Sequence, residues 1–132
     1  MNARNFTKLL LVTPLVASVG CAFYARSPED YRSVTRELVE TRNADIKECY
    51  DVALQTDEKV GGRVTVNFQV EQKTGKIINV APDSSATTAP ENLTKCVVSA
   101  IENLQLDPAD ARDGMATFTW SFEAGAPAPA EG

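Results

Sequence analysis

The sequence predicts a two-layer α+β domain in which two helices pack on a three-stranded antiparallel sheet, in the order α-β-β-α-β. Residues 63–70 alternate polar and apolar side chains, as a strand with one buried face does. Amphipathic segments with a helical period flank this strand on both sides in the sequence. A second alternating segment, residues 115–123, supplies the third strand.

The first helix is predicted from about residue 29 to residue 54. Ser27 and Pro28 precede two acidic residues, a favourable start because the hydroxyl can cap the first turn and acids suit the positive end of the helix dipole. Apolar side chains then recur at helical spacing, at Ile46, Cys49, Tyr50, Ala53 and Leu54. Arg42 and Asn43 interrupt the pattern, and we expect one helix bent near Asn43 in preference to a break with Asn43 as a new cap.

The central strand continues into a hairpin. Gly75 ends the predicted turn, where glycine accepts the positive φ that a short loop requires. A second strand over residues 77–81 stops at Pro82, which has no N–H to donate. The second helix opens at Glu91, and its apolar stripe comprises Leu93, Cys96, Val97, Ala100, Ile101 and Leu104.

The N-terminal 20 residues differ in kind from the rest. Arg4 and Lys8 precede an apolar run that is shorter than the roughly 20 residues a membrane span needs, and small residues follow it. Because Cys21 comes directly after Gly20, the segment resembles a bacterial lipoprotein signal, in which the cysteine is acylated and becomes the first residue of the mature chain. A simply secreted protein is the alternative, and Ala22 favours the outer membrane by the sorting rule of such lipoproteins.

These observations divide the chain into four parts. Residues 1–20 are a signal peptide, residues 21–28 a short lipid tether, residues 29–123 the folded domain and residues 124–132 a disordered tail rich in Pro and Ala. We expect the anchored protein to face the periplasm from the outer membrane.

Three cysteines are present, and acylation of Cys21 leaves Cys49 and Cys96. In an exported domain of this size, two remaining cysteines predict a disulfide, here closing the two helices over the sheet. Two buried free thiols are the alternative. A redox couple is disfavoured because the cysteines lack C-x-x-C spacing and both lie on core faces.

Composition narrows the function classes. Of 132 residues, 13 are basic and 18 acidic, and the mature chain without Arg4 and Lys8 has a net charge of −7, which disfavours nucleic acid as a partner. Histidine is absent, which removes the usual general base and metal ligand, and no phosphate-binding glycine loop occurs. Asp107, Asp110 and Asp113 lack the spacing of a calcium loop and are predicted to form a solvated acidic turn. We therefore expect no enzyme activity, no cofactor, no metal and no small-molecule substrate.

Five short segments resemble one family. They are Cys49-Tyr50, the G-x-V-x-V-x-F strand from Gly62 to Phe68, Thr74-Gly75-Lys76-Ile77, Ser84-Ser85 and Cys96-Val97. In these the chain is similar to the C-terminal domain of the AgmX/PglI type, over about residues 44–122. The resemblance implies the fold of the C-terminal domain of TonB and a stand-alone accessory protein of an envelope trafficking or motility assembly.

Binding is the function that remains. A TonB-like sheet implies that an extended peptide adds to an exposed edge strand, and residues 115–123 form the edge we nominate, with Thr117, Thr119 and Ser121 as binding residues. The partner would be another envelope protein. The alternative is a small inhibitor lipoprotein that blocks a cell-wall hydrolase through the loop of residues 83–88.

Overall fold

The computed structural model describes residues 25–124 and 130–131, so the predicted signal at 1–20 and Cys21 lie outside the described residues. The elements are α1 Pro28–Glu40, α2 Asn43–Thr56, β1 Gly62–Val70, β2 Ile77–Pro82, α3 Glu91–Ile101, β3 Gly114–Phe122 and a short β4, Ala130–Glu131. The predicted α+β class is confirmed. Within these described ranges, no helix is long and apolar enough to cross a membrane.

The sheet has the order β2-β1-β3-β4, with β1 at its centre and every neighbouring pair antiparallel. The alternation of β1 holds, because Val64, Val66, Phe68 and Val70 are at most 1% exposed. Their partners across β3 place Phe118 and Trp120 on the same face. One face of the sheet thus carries the core under the helices, as the alternating pattern predicts.

A two-residue strand extends the predicted three-stranded sheet. Ala130–Glu131 pair with Trp120 and Thr119 of β3. The sequence predicts disorder for residues 124–132, and the structure differs from that prediction at these two residues. Residues 125–129 and 132 lie outside the described part of the chain.

The prediction of a single helix over about residues 29–54 is wrong, because the chain forms α1 and α2. Ser27 caps α1 as predicted, its hydroxyl oxygen accepting from the Asp30 N–H at 3.1 Å. At the other end the Thr41 hydroxyl donates to the Leu38 carbonyl at 2.6 Å, and the Arg42 N–H donates to Val39 at 3.0 Å. These i to i−3 bonds close α1, and α2 begins after Arg42 with no side-chain cap.

The turn between β1 and β2 needs its glycine, as predicted. Gly75 has φ 70°, and a Cβ at this position would lie 1.9 Å from the Leu106 carbonyl oxygen. The Leu106 N–H in turn donates to the Gly75 carbonyl at 2.7 Å. The glycine therefore allows the segment after α3 to lie against the hairpin.

The Cys49–Cys96 disulfide is confirmed, with a Cα–Cα distance of 5.7 Å, and it joins α2 to α3. Cys49 is 6% exposed, but the prediction that both cysteines lie on core faces is wrong for Cys96, which is exposed. The buried stripe of α3 follows Leu93, Val97 and Ile101 at steps of four. Cys96 lies beside that stripe, one residue and about 100° from Val97, where it reaches α2.

Candidate binding groove at the edge of β3

The outer edge of β2 is short and partly covered. The segment after α3 crosses its start, where the Ile77 N–H donates to the Leu104 carbonyl at 3.0 Å. The register shifts farther along, where Asn79 has φ 54°, and the strand ends at Pro82, which has no N–H. These are the features by which proteins protect a sheet edge against a further strand.

In the described part of the chain, the outer edge of β3 is covered by a further strand at one end only. β3 pairs with β1 along its whole length, from Gly114 to Phe122. On the other side, within the described residues, only Thr119 and Trp120 pair, with the two residues of β4. Residues 114–118 thus form an open edge in the described part of the chain.

The direction of the edge groups follows from the hydrogen bonds of β1. The carbonyls of Arg63 and Thr65 accept from the N–H groups of Thr88 and Asp83, each at 2.8 Å, on the β2 side. Because main-chain groups alternate in direction along a strand, Val64 and the even-numbered residues of β1 face β3.

The same alternation applies to β3. Phe118, opposite Val66, and Trp120, opposite Val64, turn their main-chain groups toward β1. Met115, Thr117 and Thr119 therefore turn theirs outward. Of these three, Thr119 pairs with Glu131, whereas Met115 and Thr117 have no strand partner among the described residues.

The predicted binding residues lie on this strand, but their side chains point away from the helices. The Thr119 and Thr65 hydroxyls are 2.9 Å apart, and the Thr117 hydroxyl donates to the Asn67 amide oxygen at 2.6 Å. Ser121 lies opposite Arg63 on the same open face. The edge itself therefore offers main-chain groups, not the hydroxyls.

A groove of about 620 Å³ lies between α1 and the open part of β3. At one end α1 contacts the strand closely, since a Cβ on Gly114 would lie 2.0 Å from the Tyr31 hydroxyl. Thr35 and Phe118 supply buried lining, 2% and 5% exposed, and Arg32 supplies exposed lining. The open edge and the groove thus form one continuous feature.

An ion pair, which we call the Arg26–Asp110 clamp, forms part of the lining of the groove. The two side chains are 8% and 2% exposed, and the Arg26 guanidinium lies 3.6 Å from the Asp110 carboxylate. The backbone N–H groups of Arg26 and Arg112 also donate to this carboxylate, at 3.0 and 3.2 Å. The Arg112 guanidinium donates to the Arg26 carbonyl at 2.8 Å. The prediction that Asp110 belongs to a solvated turn is therefore wrong.

Two groups at the clamp have pKa values that differ from their ordinary ones. Burial alone would raise the pKa of Asp110, but the hydrogen bonds and positive charges of Arg26 and Arg112 outweigh it, so this pKa lies below its usual value. Burial, and secondly the Asp110 charge, raises the pKa of Tyr31. The Tyr31 hydroxyl is buried without a hydrogen-bond partner among the described residues.

The groove is basic although the chain is acidic. Its lining includes the four arginines Arg26, Arg32, Arg36 and Arg112 and the two acids Asp110 and Asp113. The whole chain has 13 basic and 18 acidic residues. The lining of the groove therefore carries an excess of positive charge, although the protein as a whole is net negative.

The charged residues of this groove were not identified from the sequence as part of a binding site. Arg32 and Arg36 are four residues apart on α1, and this spacing places both on one face of a helix. Their proximity could therefore be predicted from the sequence. Arg26 and Asp110 are 84 residues apart, and no local pattern connects them.

The loop of residues 83–88, nominated as the alternative binding site, is attached to the sheet. The loop of residues 83–88 is hydrogen-bonded to β1, with the Thr87 hydroxyl accepting from the Thr65 N–H at 3.1 Å and the Asp83 carboxylate accepting from Ser85. A group of three or more potential metal-binding side chains does not occur among residues 25–124 or 130–131.

Comparison of the chain with family models, with curated proteins and with solved structures finds no match. The resemblance to the AgmX/PglI type therefore stays a prediction from the sequence.

Proposed function

We propose that this chain is a non-enzymatic lipoprotein of the bacterial cell envelope whose TonB C-terminal-like domain binds an extended segment of another envelope protein. The partner strand adds to β3 beside α1. The observation that carries this proposal is the open edge, where Met115 and Thr117 turn main-chain groups outward without a strand partner among the described residues. Edge addition draws its affinity from such groups.

The pairing of β4 supports this mode of binding. Ala130–Glu131 lie antiparallel to β3 at Thr119 and Trp120. The geometry of this edge therefore accepts a further strand, and the open residues continue directly from the paired ones. A partner strand bound at Met115 and Thr117 would use the same kind of hydrogen bonds.

The disulfide supports the envelope as the compartment. Disulfides persist in exported proteins and are rare in the reducing cytosol. Together with the signal features before Cys21, this supports acylation of Cys21 and anchoring to the outer membrane with the domain in the periplasm. The role we propose there is that of an accessory subunit of a trafficking or motility assembly.

The inhibitor alternative depends on the loop of residues 83–88. This loop is bound to β1 through Asp83, Thr87 and Thr88 and so continues the edge of the sheet. No observation favours its insertion into a hydrolase, and we retain edge addition as the proposed function.

Substitution of Thr117 tests edge addition. A photocrosslinking amino acid at Met115, which is 71% exposed, would report the partner in living cells. Thr117→Pro removes the outward N–H. The pairing with β1 should remain, because the residues on either side of Thr117 turn their main-chain groups toward β1 and Thr117 does not. Proline is tolerated at such edge positions. We expect capture of the partner to fall about tenfold, since a lost hydrogen bond to a buried acceptor costs on the order of 1–3 kcal/mol.

Thr117→Val is the matched control, because it loses the same hydroxyl bond to Asn67 and keeps the backbone N–H. Thr117 is chosen over Thr119 because Thr119 already pairs with β4. Undiminished capture by a folded Thr117→Pro protein would show that the partner does not add to β3.

A further inference from the structure

The charge of the groove indicates the chemistry of the partner segment. We infer that the segment added to β3 is acidic, with carboxylate side chains at alternate positions on the side that faces α1. This inference rests on the proposed edge addition and names the class of sequence that the edge selects.

Charge complementarity is the first argument. Arg32 is exposed on the groove side of α1, and Arg112 is exposed where the segment after α3 leads into β3. Asp110, the buried acid of the groove, is already occupied by hydrogen bonds from Arg26 and Arg112. An acidic segment would meet the positive charge of Arg32 directly, whereas a basic one would place like charges together.

Spacing is the second argument. Side chains on one face of a strand are separated by about 6.5–7 Å, two residues apart. One turn of an α-helix rises about 5.4 Å, which is close to that separation. Tyr31 lies against Gly114, and Thr35 lines the groove together with Phe118, so this part of α1 borders the open part of β3. Carboxylates on the helix-facing side of an added strand would therefore pass Arg32, which is exposed on this part of α1.

Burial is the third argument. The groove brings the segment against Thr35 and Phe118, which are nearly fully buried. Charge pairs that become partly buried when the segment binds would be screened less by salt than pairs on an open surface. Arg32 therefore contributes to the choice of sequence, while the outward groups of Met115 and Thr117 bind any extended chain.

Two synthetic peptides test the inference. The probes are fluorescein-labelled decapeptides, one alternating Thr and Glu and the other alternating Thr and Lys, titrated by fluorescence anisotropy into the full chain purified in detergent. We expect the Thr/Glu peptide to bind at least about tenfold more tightly, with a preference that shrinks at high salt. Arg32→Glu should remove or reverse it, and Lys59→Glu, an equal charge change at an exposed loop outside the groove, should preserve it.

The outcomes separate this inference from the proposed function. Equal affinity for the two peptides, or an unchanged preference in Arg32→Glu, overturns acid selection. If Thr117→Pro still abolishes binding in that case, edge addition stands alone, whereas binding that is insensitive to both variants overturns both proposals. No binding of either peptide also overturns the inference. Binding of the Thr/Glu peptide only after deletion of residues 125–132 would assign the groove to the chain's own tail and would likewise overturn it.

Discussion

The helices are attached to the sheet in two different ways. On one side α2 and α3 are joined covalently by Cys49–Cys96, and the neighbouring Tyr50 hydroxyl donates to the Val60 carbonyl at 3.3 Å. On the other side α1 is held at its start by the Arg26–Asp110 clamp, next to a buried Tyr31 hydroxyl without a partner among the described residues. The first side is closed, and the second contains the groove.

This difference separates stability from recognition. A disulfide acts at any pH and whether or not a partner is bound. An ion pair depends on protonation and on its local surroundings. Binding surfaces are generally positioned by a rigid scaffold. The closed side of this domain is the scaffold, and the side held by charge is where we propose that the partner binds.

Removal of the disulfide has the largest expected effect. Cys49→Ser should lower the free energy of unfolding by about 4 kcal/mol, the chain-entropy value for a loop of this length. Thermal unfolding of the oxidised protein measures it. A reductant should lower the melting temperature of the wild type to that of the variant and leave Cys49→Ser unchanged. An equal melting temperature for the oxidised wild type and the variant would refute a stabilising role for this bond.

Asp110→Asn is expected to have the next largest effect. It leaves the Arg26 guanidinium, 8% exposed, without its carboxylate, at a cost of about 2–3 kcal/mol by chemical denaturation near pH 7. The loss should be confined to the clamp, so the disulfide should stay formed. A cost below about 0.5 kcal/mol would place this pair among ordinary surface ion pairs.

Acid gives the control for this variant. The folded pKa of Asp110 lies below its ordinary value of 3.8, so the unfolded chain takes up the proton first as the pH falls. The stabilisation is complete above that ordinary value and is lost below it. The difference between wild type and Asp110→Asn should therefore shrink below about pH 4. Asp83 and Glu91, whose pKa values are also lowered, are present in both proteins and cancel.

Substitutions of Tyr31 and Tyr50 give the smallest effect and the closest comparison. Tyr50→Phe loses a buried hydrogen bond and should cost about 1 kcal/mol. Tyr31→Phe removes a buried hydroxyl that lacks a partner among the described residues, and it should be neutral or stabilising by up to about 1 kcal/mol. Urea unfolding of the wild type and both variants, carried out in parallel, measures the two changes in unfolding free energy. An equal loss of unfolding free energy in the two variants would contradict the proposed difference between the disulfide-bonded side and the groove side.

Local periodicity explains what was predictable. The core face of β1, the glycine turn at Gly75 and the buried stripe of α3 all follow from spacing within a few residues. The disulfide followed from the number of cysteines and the predicted compartment. The break at Arg42 was not predictable in this way, because it depends on how the Thr41 hydroxyl and the last turn of α1 close on themselves.

Only part of the candidate site could be predicted from the sequence. The strand and its nominated residues, Thr117 among them, were identified from alternation, but alternation does not tell which neighbour covers an edge. The partial pairing of Thr119 with Glu131 and the burial of Asp110 against Arg26 join distant parts of the chain. Such contacts are decided by tertiary packing, and a single sequence carries no local sign of them.

If Cys21 is acylated, as we propose, the Arg26–Asp110 clamp also limits how far the groove can stand from the membrane. Arg26 lines the groove and is bound to the domain, and five residue steps separate it from Cys21. At full extension these steps span roughly 18 Å, about half the thickness of a bilayer. With an acyl chain on Cys21, as proposed, the groove would stay within a short distance of the lipid headgroups. The acidic segment of the partner would then have to lie equally close to the membrane surface, as it would in a chain anchored in the same leaflet.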